Sequence, residues 1–259
     1  MSQLVLTERV GPVAILTLNR PARHNSLVPA FLGEILAALE RIGAEAEVRA
    51  VVLQANGRSF STGGDLGGFD AHRDDLAAYA RRIVGLLNEV ILALVELPQP
   101  VVVAVHGIVT GGSLGLVLGA DVVLVAPEAS FTPYYTVVGF SPDGGWTAML
   151  PGIIGARRAA EVLLRNLTIT AEQALAWGLA NRLVPADEIR EEALRMAQVI
   201  AAKKPGSVRH TRRLLGRVHG DLAARLEAER AGFVEQIETE EARRGIVAFL
   251  EGRRPPAQG

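Results

Sequence analysis

Along the first half of the chain, short runs that are apolar at nearly every position alternate with longer stretches that are apolar at every third or fourth. Residues 4–9 and 13–18 are rich in β-formers and are joined by Val10-Gly11-Pro12, a pattern that predicts a hairpin. After Asn19-Arg20-Pro21, the positions Phe31, Leu32, Ile35, Leu36 and Leu39 recur at helical spacing. Residues 50–53 predict a strand, and 74–97 a long helix stopped by Pro98 and Pro100. Residues 101–105 and 122–125 carry no polar position, as expected of parallel strands covered on both faces. From Asp187 onward the pattern is helical, over 187–204, 207–218, 221–237 and 239–250. The fold class is therefore α/β. A soft boundary near Pro205 divides a core, residues 1–204, from a helical C-terminal extension, residues 205–259.

Composition narrows the function. The chain has 259 residues, is 49% hydrophobic and has a net charge of −1, so a large buried core is affordable. Its basic residues are scattered, which argues against a nucleic-acid groove or a polybasic membrane surface. It contains no cysteine, which removes disulfides, thiolate nucleophiles and cysteine-held metals. Residues 101–120 hold no formal charge over a length that could span a bilayer. Their His106, Thr110, Ser113 and five glycines fit a buried strand followed by a buried helix instead. No secretory signal is visible at the start, and the expected location is the cytoplasm.

Three glycine-bearing turns concentrate the candidate chemistry: residues 60–66 with Gly63-Gly64, 107–113 with Gly111-Gly112, and 141–146 with Asp143-Gly144-Gly145. Glycine lets backbone approach a ligand closely, and a helix beginning near Gly111 or Gly112 leaves its first N–H groups unpaired. Two such donors converging on one point would hold a carbonyl oxygen as it becomes an oxyanion. Close packing is the alternative, because Gly111, Gly115 and Gly119 stand four apart. Other chemistries lack their residues. Gly107 to Gly115 does not follow the dinucleotide spacing. A tyrosine–lysine dehydrogenase pair is absent, since Tyr79, Tyr134 and Tyr135 are followed four residues on by Ile83, Val138 and Gly139. Ser61 and Ser113 have no nucleophile-elbow context.

The order of Asn19-Arg20-Pro21, Asn25-Ser26-Leu27, Gly57 to Leu66, Pro100 to Gly107, Gly111-Gly112, Asp121 and Trp177-Gly178-Leu179-Ala180 resembles the crotonase (enoyl-CoA hydratase/isomerase) family over nearly the whole chain. That resemblance implies a spiral of strand–strand–helix turns, with C-terminal helices that drive formation of a homotrimer or a dimer of trimers. It implies an acyl-CoA thioester substrate, with coenzyme A entering as part of that substrate and no separate cofactor or metal; neither nucleic acid nor membrane is an expected partner. By motif position, the main-chain N–H groups of Gly64 and Gly112 are the expected oxyanion donors. The acyl-CoA is expected along Arg23 and the stretch Ser61, Gly63, Gly64, Asp65 and Leu66, with Gly112, Tyr135, Phe140 and Trp146 around the acyl group and Phe249 and Arg253 at the coenzyme end.

The departures carry as much as the match. Where family hydratases bring two glutamates, this chain has Gly115 and Tyr135. Water addition through two carboxylates is therefore not expected. Asp143 stands where other members of the family, notably the epoxyphenylacetyl-CoA isomerases, carry a catalytic aspartate, and residues 141–146 resemble theirs. Apolar neighbours such as Phe140 and Trp146 would raise its pKa; turn chemistry is the other reading of an aspartate placed between proline and two glycines. A dehalogenase base is missing, because residues 73–105 contain no histidine. His72 is expected to be exposed, His106 to be hydrogen-bonded, and Asp65 to brace its own turn, while His24, His210 and His219 lie in no evident constellation. The expected activity is isomerisation of an enoyl-CoA-type thioester with Asp143 as proton shuttle. A hydratase, or a weakly catalytic acyl-CoA-binding relative, is the alternative.

Overall fold

The structure is a computed structural model and describes residues 3–216 and 221–252. Strands β1 (Val5–Val10) and β2 (Val13–Leu18) form the expected hairpin, paired antiparallel with Val10 opposite Val13. Helix α1 (Pro29–Ala44) leads to β3 (Ala50–Ala55), then to α2 (Leu66–Ala71) and the long α3 (Leu76–Glu96). Next come β4 (Val101–Val105), β5 (Ile108–Thr110), α4 (Leu114–Leu118), β6 (Val122–Val125), β7 (Ser130–Thr132) and α5 (Tyr135–Val138). Helices α6 (Leu150–Ile154) and α7 (Ala156–Arg165), strand β8 (Ile169–Thr170), helix α8 (Ala171–Ala176) and strand β9 (Arg182–Leu183) follow. The chain closes with α9 (Ile189–Ala201), α10 (Pro205–Gly216), α11 (Leu222–Ile237) and α12 (Glu240–Leu250).

Two sheets result, ordered β1-β2-β3-β4-β6-β9 and β5-β7-β8. Each passage from β4 to β5, or from β6 to β7, moves the chain from one sheet to the other before a helix returns it, which builds the spiral the sequence implied. Strands β2, β3, β4, β6 and β9 are mutually parallel, with Ile15 opposite Val52 and Val103 opposite Val123. The unbroken apolar character of β4 and β6 follows from cover on both faces. Val13, Ile15, Val52, Val102, Ala104 and Leu124 lie under α9, whose Ala193, Ala197 and Ala201 recur at i+4 and let the helix approach closely. Leu16, Leu18, Val51, Leu53, Val103 and Val105 face the larger core shared with α1 and α3. The apolar stretch 101–120 is divided among β4, β5 and α4, and no described helix is long and apolar enough to cross a membrane.

The C-terminal helices close one end of the core. Helix α11 packs along α3, and α12 packs on α2 and α5. Gln236 Nε2 donates to Gly139 O at 3.0 Å, and Gly245 lies so close to the carbonyl of Val138 that a side chain there has no room. These helices thus reach the 135–145 segment, which carries Tyr135 and Asp143. The last two residues of the helix expected over 207–218, together with His219, fall outside the described residues.

Candidate active site

A cavity of about 500 Å³ opens between the two glycine turns, the 133–143 segment and the C-terminal helices. Its floor is set by a bridge in which Ser61 N donates to Ile108 O and Thr110 N to Ser61 O, each at 3.1 Å. This bridge lays the first glycine turn beside the second. The approach is close enough to demand glycine: Gly63 has φ 72°, and a β-carbon there would lie 2.6 Å from Thr110 O. The first turn is tied to Leu27 through Leu27 N to Gly63 O at 2.7 Å and Asp65 N to Leu27 O at 3.0 Å, a ladder that does not use the Gly64 N–H. Gly112 lies in the helical turn Gly111–Ser113 right after β5, where first-turn N–H groups have no intrahelical acceptor.

Asp65 holds the rim. Its carboxylate accepts from both Arg20 Nη atoms at 3.1 Å, from Arg23 Nη2, from Ser26 Oγ at 3.2 Å and from Gly67 N at 3.2 Å, where it caps α2. Burial pushes this carboxyl up, but hydrogen bonding from Arg20 and the charges of Arg23 and Arg20 outweigh it and hold the group below the usual carboxylate range. Asp65 therefore braces its turn as expected, though chiefly through guanidinium groups.

Asp143 is 6% exposed and lines the cavity. It is held against the second glycine turn: a β-carbon on Gly112 would lie 2.9 Å from Asp143 Oδ1 and 2.7 Å from Leu87 Cδ2. Tyr135 donates its hydroxyl to Asp143 Oδ1 at 2.5 Å and to Asp143 O at 3.0 Å. The carboxylate caps no helix, since residues 144–149 form turns. Its pKa is raised to about 7: burial is the main cause, the Tyr135 hydrogen bond opposes it, and the charge of Glu229 adds to it. Burial and the Asp143 charge raise Tyr135 well above the ordinary phenol value.

The positions of the two glutamates found in family hydratases are filled differently. A side chain at Gly115 would run into Ile91, with Cγ1 at 2.8 Å, and into Gly144 O at 2.9 Å. Tyr135 occupies the other position. The far wall is apolar, with Ile83, Leu87, Val138, Phe69, Phe140 and Phe233; Phe140 and Phe233 meet edge-on at 5.2 Å between centroids.

Of the residues singled out in the sequence, Arg23, Gly63, Gly64, Asp65, Leu66, Gly112, Tyr135, Phe140, Asp143 and Phe249 all border this cavity. Phe249 is half exposed at the mouth and meets Tyr134 edge-on. Ser61 and Trp146 are fully buried behind the wall. Ser61 Oγ donates to Asn25 O at 2.7 Å, and Trp146 Nε1 donates to Gly111 O at 2.8 Å, so both support the glycine turns from outside the cavity. Arg253 lies outside the described residues. His106 Nε2 contacts Gly57 O at 2.8 Å, and burial lowers its pKa. His72 is exposed and stacks on Tyr79, while His24 meets Ser59 Oγ at 3.1 Å.

Sequence reasoning missed Glu229. Its carboxylate accepts from the amides of Gly145 (2.8 Å), Thr147 (2.7 Å) and Ala148 (2.8 Å) and from Thr147 Oγ1 (2.6 Å). A signal was present, because Leu222, Leu226, Glu229, Phe233 and Ile237 form the buried stripe of α11 with an acid in its middle.

Fold and site together bring two glycine turns and the buried carboxylate of Asp143 to one cavity. Residues 8–259 match the enoyl-CoA hydratase/isomerase family profile, and the chain belongs to that family. A probable enoyl-CoA hydratase of Mycobacterium tuberculosis is 35% identical over 97% of this chain and 92% of its own. The 1,2-epoxyphenylacetyl-CoA isomerase of Escherichia coli is 29% identical over the full length of both. Among solved structures, an enoyl-CoA hydratase from Bacillus halodurans superposes with a TM-score of 0.89 at 25% identity, covering 95% of this chain and all of its own.

Proposed function

We propose that this chain isomerises an enoyl-CoA-type thioester, moving a double bond or rearranging a ring, through an enolate held by the N–H groups of Gly64 and Gly112. In the double-bond shift, Asp143 takes a proton from the carbon between the thioester carbonyl and the double bond, and the negative charge passes to the thioester oxygen. The same carboxyl then returns that proton to a second carbon, so no atom is gained or lost. The observation that carries the reading is that, of the two buried carboxylates lining the cavity, Asp65 is engaged by Arg20 and Arg23 and Asp143 is left to bond with Tyr135, while Ile91 fills the space at Gly115 and a tyrosine stands at the other acid position. A carboxyl with a pKa near 7 suits a group that must both accept and release a proton at neutral pH. Arg23, with its side chain 61% exposed beside the mouth, and Phe249 are placed to meet the coenzyme portion.

Hydration is the second reading. It is favoured by the Tyr135 hydroxyl, a second proton-bearing group 2.5 Å from Asp143, and by relatives named as hydratases. Incubation with 3-enoyl-CoA and 2-enoyl-CoA, following absorbance of the conjugated thioester, separates the two. Conversion of the 3-enoyl substrate with an inert 2-enoyl substrate supports isomerisation. Reversible loss of 2-enoyl absorbance supports hydration, and binding of both without turnover contradicts both. Under either chemistry Asp143→Asn should lose about 100-fold or more in rate, the scale of general acid–base catalysis. Full activity of that variant on every converted substrate would remove Asp143 from the mechanism. As its assembly we propose a homotrimer or a dimer of trimers, in keeping with the exposed apolar residues of α10 and α12.

A further inference from the structure

Glu229 is 6% exposed, lies 84 residues beyond Gly145, and accepts four hydrogen bonds from the turn that follows Asp143. That turn has no regular structure of its own. Gly144 and Gly145 have φ of 64° and 85°, and Gly144 lies against Gly112 with no room for a side chain. Three of its amides and one hydroxyl converge on a single carboxylate from another helix. Such an arrangement fixes a loop firmly, because each buried donor would otherwise lack an acceptor. The same carboxylate places negative charge near Asp143. Tyr135 from α5 and Glu229 from α11 are the ionisable groups that act on Asp143; Leu87 of α3 and the Gly112 backbone complete the surroundings named above.

We infer that Glu229 is a positioning residue with two effects on Asp143: its hydrogen bonds set where the aspartate stands, and its charge favours the state in which the aspartate carries a proton. Tyr135 opposes the second effect by donating to the ionised form. The balance between a donor on one side and a like charge on the other keeps the aspartate able to give back what it takes. This inference rests on the reading of Asp143 as the proton-carrying group, whichever thioester it serves.

The test reads Asp143 without substrate. In protein labelled with ¹³C at the aspartate carboxyl, the resonance that disappears in Asp143→Asn identifies the group, and its titration is followed in wild type, Glu229→Gln and Glu229→Asp. Removing the charge in E229Q should move the midpoint toward the ordinary carboxylate range by about one pH unit or more. A midpoint unmoved in folded E229Q overturns the electrostatic half. E229D retains the charge on a shorter arm, and it should keep a raised midpoint. Its kcat on the substrate the wild type turns over should nevertheless fall about tenfold or more with KM within about twofold, the mark of a displaced reacting group. A kcat close to wild type overturns the positioning half, and E229D carries that test if E229Q does not fold. Should D143N itself retain full turnover, the reading of Asp143 fails, whatever the titrations give.

Discussion

At the scale of single residues, Asp143 sets activity and stability against each other. Its carboxyl has a pKa raised from 3.8 to about 7 in the folded protein, so between those values the native state binds more protons than the unfolded chain. Stability conferred by that proton is present at low pH and is lost as pH rises through about 7. In the proposed mechanism the ionised form is the base that starts the reaction, so kcat/KM should rise over the same interval and level off above it. Asp143→Asn stays uncharged throughout. Its melting temperature should exceed that of wild type above about pH 7, with the margin shrinking as pH falls. Scanning calorimetry of both proteins across this range checks the sign, and a margin that grows in acid would mean that burial is not the dominant effect on the carboxyl. Gly112 is constrained from two sides. A methyl group there meets Leu87 Cδ2 at 2.7 Å and Asp143 Oδ1 at 2.9 Å. Gly112→Ala should lower kcat by about 100-fold through a displacement of amide and carboxylate on the order of 1 Å. Steady-state kinetics, with circular dichroism as the fold control, would show the idea wrong if the rate were unchanged.

Among elements, the attachment of α10 is the clearest case of stability held by a few bonds. Arg212 is 9% exposed and reaches the C-terminal end of α3, donating to Leu94 O at 2.6 Å, Val95 O at 2.8 Å, Leu97 O and Asp121 Oδ2 at 2.7 Å. Asp121 in turn accepts from Val101 N at 2.8 Å at the start of β4. Removing the guanidinium leaves Asp121 and the helix-end carbonyls without this donor. Arg212→Ala should cost about 3 kcal/mol, seen as a lower urea midpoint at unchanged slope. A midpoint matching wild type would show that water replaces the guanidinium without loss. The same scale shows what the sequence could tell. Strands β4 and β6 were legible to the residue because cover on both faces leaves no polar position to blur their ends, and β2 because Gly11-Pro12 and Asn19-Arg20-Pro21 bound it. The long helices were legible within a few residues for the related reason of one-sided burial. Strands β5 and β7 were not, since three residues carry no usable period and their pairing is decided by distant partners. The glycine turns announced a site, yet neither the hydrogen bond between Tyr135 and Asp143 nor the grip of Glu229 could be read from spacing, for α11 is brought to that turn by tertiary packing, chiefly along α3.

For the molecule as a whole, two of the C-terminal helices, α10 and the cavity-lining α12, carry apolar surface outward. Leu214 and Leu215 on α10 are 58% and 64% exposed, and Val247, Phe249 and Leu250 on α12 are each close to half exposed. Isolated exposed apolar residues are ordinary, but several on two helices are the kind of surface that association covers. A closed ring of identical subunits would cover it without leaving an unpaired face. For the proposed assembly, sedimentation at working concentration should give three or six times the chain mass of 27.5 kDa. The double substitution Leu214→Glu, Leu215→Glu adds charge at positions that contribute little to the core, so the monomer should stay folded while the larger species dissociates. Turnover should then fall mainly through KM, because Phe249 and Leu250 line the mouth where the coenzyme portion is expected, and loss of neighbouring support would loosen that edge. A single 27.5 kDa species for the wild-type protein would exclude this assembly and leave the cavity complete within one chain.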